Sequence, residues 1–181
     1  MSLSIHEVCL SPLRQTLDSL STVLGMASAH FAANDADEGA FLQSRLAPDM
    51  FTFAQQVHAM TDHARRAVAL LADIEFPEYA ADEKTIAALQ DRIARTLAFI
   101  ESVDTAAIDA GERRALAVSN RVGVLNLDGS EYLLRVALPH FFFHATTAYD
   151  LVRQAGVEVG KRHFLGSVFR EKLTPHAAAA S

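Results

Sequence analysis

From residue 10 onward the apolar positions step by three and four: Leu10, Leu13, Leu17, Leu20 and Leu24 fall on one stripe. That rhythm marks a helix with one buried face and predicts a first helix over residues 5–33. Pro12 sits in its opening turns; a proline is tolerated at a first helical position, so the regular part is expected to begin near Ser11. A polar break at 34–39 and a short helical connector at 40–46 follow. After Pro48, with Asp49 as the expected cap, the rhythm resumes in Phe53, Val57, Met60, Ala64, Val68 and Leu71. This second long helix should end near Asp73, ahead of the Phe76-Pro77 break. A third begins near Asp82, turns Ile86, Leu89, Ile93, Leu97 and Ile100 inward and Asp91, Arg92 and Arg95 outward, and fades by Asp104.

Then the period changes. Leu116, Val118, Asn120, Val122 and Val124 alternate as one face of an extended strand. Asp128-Gly129, with Tyr132, Leu133 and Val136 beyond it, supplies the dipeptide of a tight hairpin turn. Residues 115–136 therefore read as a two-stranded ribbon, which needs a surface to cover because an isolated ribbon is marginal in water. A last helix opens at Pro139 and runs to about Ala155, where Gly156 supplies the stop. Residues 161–169 suggest one more helical turn. The expected fold is all-α: an antiparallel four-helix bundle with a small hairpin between the third and fourth helices. One domain occupies 1–173 of the 181 residues, and 174–181 form a flexible tail.

Charge and composition narrow the function classes. The net charge is −6 and the basic residues are scattered, Arg65-Arg66 and Arg113-Arg114 being the clustered pairs, which argues against a nucleic-acid surface. No apolar run reaches the ~18–20 residues of a membrane span, and residues 1–15 lack a signal-peptide pattern, so a cytoplasmic protein is expected. The single cysteine, Cys9, cannot form an internal disulfide and lies between Val8 and Leu10, as a buried structural thiol would. Gly156-x-x-x-Gly160-Lys161 lacks the spacing of a phosphate-binding loop, no Glu-x-x-His pair marks a di-iron bundle, and no nucleophile elbow is present. The high apolar fraction, with a ribbon to cover, points to a homodimer.

Histidine offers the candidate chemistry. Of eight, His6, His30, His163 and His176 lie at element ends or in the tail. His140 and His144, four apart on the last helix, differ by only about 40° around it, so two imidazoles can serve one metal ion. A third ligand must come from another helix. His58 and His63 are five apart, roughly 140° around the second helix, so one can face the site and the other cannot. Spacing does not choose between them. Asp62, four residues after His58, is a candidate ligand or proton acceptor, or a plain surface charge.

His140-Phe-Phe-Phe-His144 followed by Arg153-Gln154-Ala155-Gly156 resembles the last bundle helix of the DinB/YfiT-like superfamily, with twelve residues from the second histidine to the glycine. Further matches to a bacterial branch of that superfamily are Leu46-Ala-Pro48-Asp-Met50, Gln56-Val57, Arg92-Ile93-x-x-Thr96, Leu138-Pro139-x-Phe-x-Phe-His144-x-x-Thr147-Ala148-Tyr149 and Gly160-Lys161-x-x-Phe-Leu165-Gly166. Two departures stand out: His144-Ala-Thr-Thr replaces the superfamily's His-Arg-Gly-Gln, and asparagine is common in the branch at the position of His140. The resemblance implies an up-down-down-up bundle, frequent homodimers, a divalent metal such as Zn or Ni, and a ligand set of His58, His140 and His144, leaving His63 out. It further implies a metal-dependent hydrolase or a transferase using a low-molecular-weight thiol. The alternative is a non-catalytic dimeric bundle that binds a small apolar ligand or a protein partner.

Overall fold

A capping box starts the chain's first element: the Ser4 hydroxyl accepts the Glu7 N–H while the Glu7 carboxylate accepts the Ser4 N–H at 3.0 Å. Helix α1 (Ile5–Ala33) is thus helical from Ile5 and carries Pro12 inside it, rather than beginning beside that proline. The structure, a computed structural model, describes residues 3–119, 122–166 and 168, so the expected tail at 174–181 lies outside the described residues. After the short α2 (Glu38–Leu42), helix α3 (Phe53–Ala72) is capped by Thr52 with Gln55 and not by Asp49. It ends where Asp73 turns left-handed at φ 59°. Helix α4 (Ile86–Ser102) starts after Thr85, later than the expected Asp82, and α5 (Thr105–Asp109) follows.

The apolar stripes are buried as their spacing predicts. Leu10, Leu13, Leu17, Leu20 and Leu24 meet Phe53, Val57, Met60, Ala64, Val68 and Leu71 in one core, with Ile86, Leu89, Ile93 and Ile100 from α4. Cys9 is buried among them, and burial pushes its thiol up to about 12.

Contacts between the helices fix their directions. Arg14 pairs with Glu101, and Gln90 donates to the Ser21 carbonyl, so α1 and α4 run antiparallel. Thr61 and Asp62 meet Arg92 while the earlier His58 meets Glu83, so α3 and α4 run parallel. Gln56 reaches His144 and His63 reaches His140, so α3 and the last long helix are antiparallel. The bundle is up-down-down-up.

Parallel neighbours require a return crossover, and here residues 73–85 make it. Arg92, expected to face out, is instead wholly buried and anchors this strap. Its Nε donates to Thr61 Oγ1 (2.8 Å), one terminal nitrogen to the Ala80 carbonyl (2.7 Å) and Glu83 (3.0 Å), and the other to Asp62 (2.8 Å). Arg65 donates to the Pro77 carbonyl and Asp62, and its guanidinium lies 3.7 Å from the Tyr79 ring centroid. A charged side chain is inside because the strap brings carbonyl and carboxylate oxygens to it.

The ribbon exists but turns elsewhere. Strands β1 (Ala115–Ser119) and β2 (Val124–Asp128) pair antiparallel, Ala115 opposite Asp128 and Ser119 opposite Val124. The connection therefore lies between Ser119 and Val124, not at Asp128-Gly129. Val118 packs into the core, whereas Val122 is 98% exposed and Val124 is exposed too; Asn120 lies outside the described residues. Asp128 caps a helix instead: its carboxylate accepts the Glu131 N–H at 2.8 Å, and Glu131 reaches back to the Asp128 N–H. Helix α6 (Gly129–Tyr132) so begins ten residues before Pro139 and runs through a π-helical turn, Leu133–Ala137, into α7 (Leu138–Gln154). Pro139 has no N–H, and a proline ring crowds the carbonyl four residues back; the helix widens there, the Leu138 N–H bonding to the Leu133 carbonyl. Gly156, at φ +89°, ends α7 as expected, and α8 (Lys161–Leu165) follows. Among the described residues no helix is long and apolar enough to cross a membrane.

Candidate functional site

Helix α3 carries polar residues on both flanks of its apolar stripe. Gln56 and His63, seven residues apart, lie within about 20° of one another around the helix, on the flank facing α7. His58 lies on the opposite flank, toward α4 and the crossover. Its Nε2 is 2.8 Å from Glu83 Oε2, although neither atom has an aligned hydrogen-bond partner. Burial, then the Arg92 guanidinium, hold the His58 pKa below the usual histidine value against the pull of Glu83 and Asp62. The Glu83 carboxyl is held low: burial would raise it, but its own backbone N–H and Arg92 outweigh that. The expected convergence of His58 with His140 and His144 is therefore not the one formed. Asp62 belongs to the same network, as partner of Arg65 and Arg92.

The residue that meets the pair is His63. Its ring centroid lies 4.7 Å from that of His140 and 5.5 Å from that of His144, nearly parallel to the latter at 11°. His140 is exposed, and His63 and His144 are half-buried. Of the six ring nitrogens, only His144 Nδ1 has a hydrogen-bond partner among the described residues, Gln56 Oε1 at 2.7 Å. Two exposed phenylalanines wall His144: Phe51 stacks on it at 5.8 Å and 13°, and Phe143 meets it edge-on at 5.2 Å. Burial, with the neighbouring imidazoles, pushes His63 down to about 4, and burial then His140 do the same for His144. Both rings are neutral at physiological pH, the form in which imidazole ligates metals.

Does this set fit a metal? In a tetrahedral zinc site, Zn–N bonds of ~2.0–2.1 Å place the ring centroids roughly 5 Å apart, which matches the two separations here. Among the described residues, however, no three His, Cys, Asp or Glu side chains already gather their donor atoms on one point. The three rings have the spacing, and His63 and His144 the charge state, of ligands, but as they stand their donor atoms do not share one aim. Sequence spacing left His63 open; its phase with Gln56 puts the two on one flank of α3, and the packing of that flank against α7 selects them.

A model of the family described as Domain of unknown function (DUF1993) matches residues 5–165. A crystal structure of a DinB family member from Shewanella denitrificans superposes with a TM-score of 0.81 at 30% identity, covering 96% of this chain and 95% of that one. No curated protein matches the chain.

Proposed function

The chain belongs to the DUF1993 family, a DinB-like family of unknown function, and from that premise we propose that it is a metal-dependent enzyme whose divalent cation, Zn or Ni, is held by His63, His140 and His144. The observation that carries this is the meeting of three imidazoles from two helices with a single protein hydrogen bond among their six ring nitrogens. The remaining ring nitrogens, on one exposed and two half-buried side chains, are left open to a ligand.

His63, His140 and His144 would hold such a cation with a position open to a water or thiol, whose pKa it would lower toward neutrality. The chain's own residues do the rest. His63 and His144 stay unprotonated, so protons do not compete for their nitrogens. Phe51 and Phe143 wall the ring of His144 with apolar surface and offer a face to the carbon skeleton of a substrate. The reaction class consistent with this site is hydrolysis, or transfer to a low-molecular-weight thiol.

A second reading has its own observation. Phe51 and Phe143 are both exposed beside His144, which favours a dimeric, non-catalytic bundle that covers this surface with a small apolar ligand or a protein partner. Calorimetric titration with zinc and with nickel of protein purified without a nickel column separates the two. Near-stoichiometric uptake, abolished by His63→Ala or His144→Ala and kept by His58→Ala, supports the metalloenzyme; no uptake by the folded wild type leaves the second.

A further inference from the structure

We propose that Gln56 is a positioning residue that holds His144 in its Nδ1–H tautomer and so leaves Nε2 as the ring's lone-pair nitrogen. This deepens the metal-dependent reading and rests on it for its consequence, but not for its test.

Gln56 is 1% exposed and sits in the first turn of α3, where the capping box of Thr52 and Gln55 fixes the backbone. Its amide is oriented by a contact at its other end. Gln56 Nε2 donates to the Phe51 carbonyl at 3.4 Å; the reversed amide would set two acceptor oxygens against each other. Oε1 is thereby the atom that faces His144 Nδ1, at 2.7 Å. An amide oxygen only accepts, so this contact favours the neutral imidazole with its proton on Nδ1. The free amino acid prefers the other tautomer, with the proton on Nε2, so this single contact inverts the intrinsic preference. A second wall keeps the ring from flipping away: Phe51, whose carbonyl orients the amide, also stacks its ring on His144. One short segment, residues 51–56, therefore fixes both the rotation and the protonation pattern of a ring on α7. The pattern is the one a ligand needs, since a ligating histidine commonly donates its other ring N–H to a neighbouring acceptor, which raises its basicity.

Nitrogen-15 NMR of the cation-free protein reads this directly, because pyrrole-type and pyridine-type ring nitrogens resonate far apart. In the wild type, His144 should show a pyrrole-type Nδ1 and a pyridine-type Nε2. In Gln56→Leu the population should shift toward Nε2–H, with zinc affinity weakened about 10–100-fold; Gln56→Glu, which keeps an acceptor oxygen, should retain the Nδ1–H form. Wild-type His144 in the Nε2–H form overturns the proposal, as does an unchanged tautomer in folded Gln56→Leu. If the leucine variant does not fold, the wild-type and Gln56→Glu spectra decide. An Nδ1–H tautomer in a protein that takes up no zinc supports the role of Gln56 and overturns the metal reading instead.

Discussion

Replacing Arg92 with methionine tests whether the crossover strap is held by a buried charge. The guanidinium is 0% exposed and satisfies Thr61, the Ala80 carbonyl, Glu83 and Asp62 at 2.7–3.0 Å. Methionine fills much of the volume but supplies none of these donors. The Glu83 side chain, only 6% exposed, would be left beside His58 with only the exposed Arg95, at 3.7 Å, as its counter-charge. Removing one partner of a buried ion pair costs about 3–5 kcal/mol, because the other stays desolvated; Asp62, half exposed, adds little. Urea denaturation followed by circular dichroism should show that loss, with proteolytic cleavage appearing first within residues 73–85. Glu83→Gln in the Arg92→Met background should recover part of it, since it neutralises the orphaned carboxylate, and the double-mutant cycle should report strong coupling. A single variant within about 1 kcal/mol of wild type would refute the buried anchor and make Arg92 a surface residue.

Cys9, buried and pushed up to about 12, should resist thiol reagents in the native state and react only on unfolding; rapid native labelling would contradict its place in the core. Gly129→Ala should cost several kcal/mol or prevent folding, because a Cβ there would lie 2.0 Å from the Gly111 carbonyl oxygen, whereas Gly123→Ala, with nothing within 4 Å of its Cβ, should leave the melting temperature unchanged. The Asp109 carboxyl is held low: burial would raise it, but the His6 N–H and ring at 2.8 and 2.7 Å outweigh that. A depressed folded pKa stabilises above the unfolded value and is lost as pH falls through the folded one, so the Asp109 contribution to this latch of α1 to α5 should be lost as pH falls below about 4. Asp109→Asn should remove that acid dependence at a neutral-pH cost under about 1 kcal/mol, since the pair is over a third exposed at Asp109.

What the sequence made legible follows from what burial selects. The three-four stripes of α1, α3 and α4 are visible because apolar groups leave water wherever the chain goes, and their long helices carry the bundle. Arg92 was misplaced because its partners come from the crossover, whose path no local pattern records. Asp128-Gly129 was misread because the same aspartate serves a tight turn and a helix cap; Glu131, three residues on, is the mark of the cap. The choice between His58 and His63 has a deeper cause. Each sits one residue outside the stripe, His58 after Val57 and His63 before Ala64, on opposite flanks. Which flank meets α7 is decided by the order of helices around the bundle, a property of the whole fold and not of α3. His140 and His144 needed no such information, since four-residue spacing places them together on any helix.

The most direct test of the proposed site is a crystal structure of the zinc-soaked protein purified without a nickel column. The ion should bond to nitrogens of His63, His140 and His144 at ~2.0–2.1 Å, with His144 donating Nδ1–H to Gln56 and His58 still beside Glu83. Zinc ligated by His58, or three imidazoles left without an ion at saturating zinc, would contradict it.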